Sequence, residues 1–202
     1  FVAFLTTIFS MIIAVLGGYG ISRYRFKGRG ALSYIVLTTQ VLPGSLLMIP
    51  LYIIMSNLGL LNTKIGLMLA YVTFTVPFCT WMMYGYFKSI STGLDEAARV
   101  DGSSAFNTFL KIILPIALPG LVATIIYAFL QNWNEYMFAS VLMSADEKKT
   151  ITYAISTMAD AYKIQWNYLM CAAMISSVPT LTVFVVMQKY LIAGMTAGAV
   201  KE

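Results

Sequence analysis

Glu135 is the one acidic side chain set within an apolar run, where an ionisable group ordinarily marks an ion path or a proton relay. It closes the polar cluster Gln131-Asn132-Trp133-Asn134-Glu135, which has no second carboxylate near it in sequence. The chain contains no histidine, which argues against zinc sites and histidine-based catalysis. Cys79 and Cys171 both stand in apolar runs and read as small buried hydrophobes, not as a disulfide or metal ligands. Gly17-Gly18-Tyr19-Gly20 is glycine-rich but lacks the lysine of a phosphate-binding loop. No constellation for enzymatic chemistry is left. The other polar concentration is residues 88–111, around Asp95-Glu96-Ala97-Ala98-Arg99-Val100-Asp101-Gly102-Ser103. A chain that gathers its few charges in one loop displays that loop to a soluble partner.

The elements that hold these residues are membrane spans. Hydrophobic residues make up 59% of the 202 and charged residues only 10%, against about a quarter charged in soluble domains. A hydrocarbon layer of about 30 Å takes roughly 20 helical residues. Five runs are of that order: 1–22, 31–57, 65–87, 113–142 and 167–193. The short alternating segments of a membrane β-barrel are missing from the pattern. The expected fold is therefore all-α, a polytopic transmembrane bundle in a single domain, with the lipid bilayer as its solvent.

A net charge of +5 would suggest nucleic acid in a soluble protein, but here the distribution of charge sets topology instead. Arg23, Arg25, Lys27, Arg29, Lys88, Arg99, Lys111, Lys189 and Lys201, nine of the thirteen basic residues, fall on one side. Lys64, Lys148, Lys149 and Lys163 fall on the other, where Asp146, Glu147 and Asp160 offset them. The positive-inside rule makes the first side cytoplasmic, so that Phe1 starts outside and Glu202 ends inside. Phe1 lies within an apolar run with no Met or basic region ahead of it, so upstream sequence is expected and a signal peptide is not.

In the second span, Pro43 and Pro50 predict a bent or interrupted helix of the kind that lines cavities. Gln40 beside them either faces a pathway or bonds a neighbouring helix. In the charged loop of 88–111, Ser91 or Thr92 can cap a helix from Leu94, with Asp95 and Glu96 in its first turn. Asp101-Gly102 ends that helix, and Ser103 or Ser104 caps a second one. Phe106, Phe109, Ile112 and Ile113 carry the second helix into the membrane at Leu114-Pro115, which gives a helix-turn-helix on the membrane surface.

At 1.5 Å per residue, Glu135 stands about 30 Å from Pro115, near the outer edge of the hydrocarbon. That depth argues against a midplane proton relay. Asn132, Asn134 and Glu135 face either a wet cavity or another subunit, or they bond neighbouring helices. The glycines at the end of the first span let another helix approach closely. Residues 144–166 form an external connection, amphipathic from Tyr153 to Tyr162, and 194–202 form a flexible cytoplasmic tail.

Glu96-Ala97-Ala98, then Asp101-Gly102, then Phe109, Ile112, Leu114-Pro115 and Pro119 resemble the long spaced loop motif of binding-protein-dependent ABC importer permeases. The chain departs from that motif at Ser103, where the family usually has alanine. Leu42-Pro43-Gly44, Gly59-Leu60-Leu61-Asn62-Thr63, Trp133-Asn134-Glu135 and the ending Gly194-Met195-Thr196-Ala197-Gly198 resemble the carbohydrate-uptake members, nearest the shorter maltose-type subunit. The resemblance implies the type I importer permease fold, with five spans present and the first of six missing.

It also implies a coupling segment built from Glu96, Ala97, Ala98, Asp101, Gly102, Ser103, Phe109, Leu114 and Pro115. In that segment Glu96 pairs with a basic residue of an ATPase, Ala97 and Ala98 permit close approach, and Gly102 allows the turn. Gly194, Gly198 and Lys201 would reach the same ATPase from the tail. The implied partners are a second permease subunit in a heterodimer, an ABC ATPase dimer and an extracytoplasmic solute-binding protein. ATP and Mg would sit on the ATPase, with no cofactor on this chain. The implied setting is a bacterial or archaeal plasma membrane, and the implied cargo a sugar, an oligosaccharide or glycerol phosphate.

Overall fold

The computed structural model describes residues 1–158 and 165–199, with side chains of the last helix described as far as Tyr190. Apolar sequence keeps α1 (Val2–Arg23) helical until Tyr24 turns extended. A left-handed Gly28, at φ 90, then starts α2 (Arg29–Thr38). α3 (Gly44–Asn57) follows a break, and Thr63 opens α4 (Lys64–Ser89) by accepting the Gly66 N–H on its side chain. The charged loop holds α5 (Gly93–Val100), α6 (Ala105–Thr108), a π turn at Phe109–Ile113 and α7 (Leu114–Ile116). α8 (Leu118–Asn134), α9 (Met137–Leu142), a 3₁₀ turn at Asp146–Lys148, α10 (Ile151–Thr157) and α11 (Trp166–Ala199) complete the order.

Three helices differ from the sequence reading. The run expected over 31–57 is two helices, parted at 39–43. Pro43 restricts the residue before it and breaks the ladder there, whereas Pro50 remains inside α3. Tertiary neighbours in a bundle satisfy the carbonyl such a proline frees.

The span expected over 113–142 starts at Leu118 instead, because Ala105–Ile116 bends away from it by 77°. Pro115 has no N–H to return to the preceding turn, and the Leu114 N–H reaches back five residues to the Phe109 carbonyl. Pro119 then sits in the first turn of α8, where a missing N–H costs nothing. At its other end α8 stops at Asn134, and α9 is a separate short helix. The tail expected to be flexible from 194 is helical as far as Ala199. Lys201, Asp160, Tyr162 and Lys163 lie outside the described residues.

α1 packs most extensively on α4, α8 covers both, and α11 lies against α8. Lipid is as apolar as the side chains, so van der Waals fit and small residues hold such helices together. Two dry clusters result. At the end bearing Arg23, Met11, Ala14, Val15 and Tyr19 of α1 meet Cys79, Met83 and Phe87 of α4, with Phe109 and Ile113 from the loop. At the opposite end Leu67, Ala70 and Tyr71 of α4 meet Met55, Phe138, Ala139 and Leu142. Buried hydroxyls and one amide lie between them: Thr7 of α1, Thr75 of α4 and Asn132 of α8.

Candidate functional site

The loop after α4 folds as a hairpin whose turns are specified locally. Ser91 Oγ accepts the Gly93 N–H at 3.2 Å, while the Thr92 side chain makes no cap bond. Asp95 and Glu96 occupy the first turn of α5, where the helix dipole favours acids. Gly102, at φ 79, ends the helix. The Ser103 N–H returns to Ala98 O at 2.9 Å and the Gly102 N–H to Arg99 O at 3.0 Å, the Schellman arrangement that requires a residue free to turn left-handed. Ser104, not Ser103, caps the second arm by accepting the Asn107 N–H at 3.3 Å.

The hairpin has an inner and an outer face. Ala98, Thr108, Phe109 and Ile113 are buried against the bundle. Glu96, Ala97, Arg99, Asp101 and Gly102 are exposed, and Val100 and Phe106 stand out with 88% and 66% exposure. Two apolar side chains left bare beside charges form a surface suited to a protein partner.

One contact pins α5 to the first span. Arg23 Nε lies 3.0 Å from Asp95 Oδ2, with the two side chains 7% and 13% exposed. The approach is an ion pair without a linear hydrogen bond. Tyr19 donates its hydroxyl to Asp95 Oδ1 at 3.1 Å, and Arg23 Nη2 donates to Ile90 O at 3.0 Å. A polar hollow of about 290 Å³ opens beside them, lined also by Arg25, Glu96 and Arg99.

A second polar cavity, about 370 Å³, lies further along the bundle and is lined by Gln40, Tyr71, Thr75, Tyr127, Gln131, Asn132 and Glu135 among others. Gln40 reaches it from the 39–43 break, and Gln131 donates to the Tyr127 hydroxyl at 2.9 Å. Asn132 borders it with its amide already engaged. It accepts from Thr75 Oγ1 at 2.8 Å and donates to Thr7 Oγ1 at 3.2 Å, which ties three helices together. Glu135 also acts locally. Its two carboxylate oxygens accept the N–H groups of Phe138 and Ala139, at 2.7 and 3.1 Å, and so cap α9. Asn134 is exposed and is not part of this lining.

Asn132→Leu is accordingly expected to strand the Thr75 hydroxyl and to release Thr7, whose own hydroxyl still donates to Ala3 O at 2.7 Å. Stability should fall by about 1 kcal/mol, the worth of two interhelical bonds at about 0.6 kcal/mol each, read as a lower melting temperature in detergent. Cysteine placed at 132 should resist water-soluble thiol reagents, unlike cysteine placed at 40.

A family profile described as binding-protein-dependent transport system inner membrane component matches residues 6–197. The chain belongs to that family. A probable ABC transporter permease protein of Bacillus subtilis is 36% identical to this permease over 98% of the present chain and 66% of its own length. A trehalose/maltose transport system permease of Thermococcus litoralis is 34% identical over 99% of this chain and 72% of its own. A lactose transport system permease of Rhizobium radiobacter is 32% identical, with the same two shares of 99% and 72%. The permease thus spans only part of the length of each of these relatives.

Among solved structures, a bacterial ABC transporter involved in the import of alginate matches 94% of the permease and 74% of its own chain, at 26% identity and a TM-score of 0.74. The MetNI methionine transporter shares the fold, with a TM-score of 0.77 over 96% of the permease and 91% of its own chain at 18% identity.

The structure thus distributes the permease's notable residues over the hairpin, the cavity and the helix ends. Glu96, Ala97, Asp101 and Gly102 share the outer face of the hairpin, whereas Ala98 turns inward and packs within the fold. Phe109 is buried, Leu114 half-buried and Pro115 exposed along the bent second arm. Gln40 and Glu135 reach one cavity from different helices. Sequence reasoning passed over Tyr19, Arg23 and Asp95 as a unit. Their types were plain, but nothing local links the end of one span to a loop that follows another.

Proposed function

We propose that this permease forms half of the translocation pathway of an ATP-driven, binding-protein-dependent importer of sugars or oligosaccharides. The observation that carries the reading is the hairpin of Gly93–Ile116, whose outer face presents Glu96, Ala97 and Gly102 together with two bare apolar side chains. The arginine-bearing end is the cytoplasmic one, and the hairpin docks there on an ABC ATPase. Glu96 meets a basic residue of that partner, Ala97 gives the close contact, and Asp101, Gly102 and Ser103 hold the turn. Phe109 and Leu114 fix the second arm against the bundle, and Pro115 sets its bend. Gly194, Gly198 and Lys201 reach the ATPase from the end of the chain.

ATP and Mg belong to that partner. Nucleotide supplies the differential affinity that shifts the membrane subunits between two arrangements, by rigid-body motion of packed helices. A second permease subunit completes the pathway and an extracytoplasmic solute-binding protein delivers the cargo. Relatives described as trehalose/maltose and lactose permeases support the choice of sugar. Gln40 and Glu135 line the pathway; Asn132 supports them from behind.

The test is uptake of radiolabelled disaccharides into proteoliposomes holding the full complex, with binding protein added. Accumulation that needs ATP on the ATPase side is the expected result. Accumulation without ATP, or by the permease alone, would overturn the reading.

A further inference from the structure

We propose that the buried Arg23–Asp95 pair, steadied by Tyr19, is the strut through which displacement of the hairpin moves the first span; this rests on the hairpin being the docking surface for the ATPase. The argument starts from position. Asp95 adjoins the exposed Glu96 but turns the other way, into the bundle. A rigid helix turn therefore carries a partner-facing acid and a span-facing acid side by side. Pushing on the first displaces the second.

The span-facing acid is held at both of its oxygens. Arg23 closes α1 and approaches Asp95 at 3.0 Å while its Nη2 grips Ile90 O, at the junction of α4 and the hairpin. Tyr19, one helical turn earlier on α1, donates to the other carboxylate oxygen. Apolar packing continues the link, since the Tyr19 ring lies tilted against Phe109 of the second arm, centroids 4.6 Å apart, and edge-on to Phe87 of α4 at 5.5 Å.

Burial explains why charge is used here. Two ions at this depth lose much of their hydration, so leaving one without its partner is costly, and the pair resists separation under load. Arg23, Asp95 and Tyr19 are thus positioning residues: they touch neither cargo nor nucleotide, and they transmit.

Asp95→Asn tests this in the complete complex, because it keeps the shape and removes the charge. The purified complex should retain its ATPase subunits and its ATP hydrolysis, while sugar moved per ATP falls about tenfold, in keeping with loss of one coupled, buried ion pair. Tyr19→Phe should lower the same ratio about threefold, since it removes a single steadying bond. The exchanged double variant, Arg23→Asp with Asp95→Arg, should recover part of the ratio.

An unchanged ratio in an intact Asp95→Asn complex would overturn the proposal. Loss of the ATPase from that complex would also overturn it, by assigning the pair to holding the docking surface. Glu96→Lys serves as the reference. If it lowers uptake while Asp95→Asn does not, only the strut fails. If neither lowers uptake, docking through the hairpin fails with it.

Discussion

Glu96→Lys is expected to abolish uptake by the proposed importer while the permease still folds and inserts. The Glu96 side chain is exposed, and surface changes of that kind ordinarily shift stability by no more than about 0.5 kcal/mol. Placing a cation in the first turn of α5 opposes the helix dipole, at a cost of about 0.3–1 kcal/mol. Neither term threatens the fold. At a docking surface the account is different. Reversing one member of a buried charge pair removes the attraction and leaves like charges facing, which costs about 2–5 kcal/mol or more, so uptake should drop well over tenfold. Uptake in proteoliposomes and co-purification of the ATPase check this; uptake at the parental rate would refute the assigned role of Glu96.

Gly18→Val is the second large effect, and it works through assembly. A Cβ at position 18 would lie 2.8 Å from the Tyr84 backbone nitrogen, 2.9 Å from Met83 Cβ and 3.1 Å from Met83 C. Two of these atoms are backbone, so no side-chain rotation relieves the clash. The α1–α4 seam, the most extensive in the molecule, must open instead. Overpacking costs about 1–3 kcal/mol where neighbours can give, and here the upper end is expected, seen as low membrane yield and a depressed melting temperature. Gly20→Val is the control, because nothing lies within 4 Å of a Cβ there. If the two variants melt alike, close approach at Gly18 is not what fixes the seam.

These two residues illustrate what a linear sequence discloses. The hairpin was readable because its determinants are neighbours: acids in a first turn, a glycine to stop it, a serine to restart. The glycine cluster announced a close helix contact but not which glycine makes it, since that depends on the rotation of α1 against α4. Pro43 and Pro50 looked equivalent, and only the neighbours of each decide that the first breaks its helix and the second does not.

The 77° bend at Ala117 was out of reach for a similar reason. Apolar residues run through it without interruption, so hydropathy merges the hairpin's second arm with the span beyond. Glu135 offered a partial clue, an acid just ahead of the apolar run that becomes α9, where a carboxylate can collect free N–H groups. Asn132 and the Arg23–Asp95 pair gave none, because their partners come from other helices; Tyr19 and Asp95 stand 76 residues apart.

The alternation of dry end, hydrogen-bonded middle and dry end has a mechanical consequence. Tight apolar packing resists slippage, whereas interhelical bonds of about 0.6 kcal/mol each are individually easy to exchange. Thr7, Thr75 and Asn132 therefore act as loose stitches at the waist of the bundle. Strain applied at either end is then expected to be taken up first at this waist, because exchanging those bonds costs less than opening a dry end.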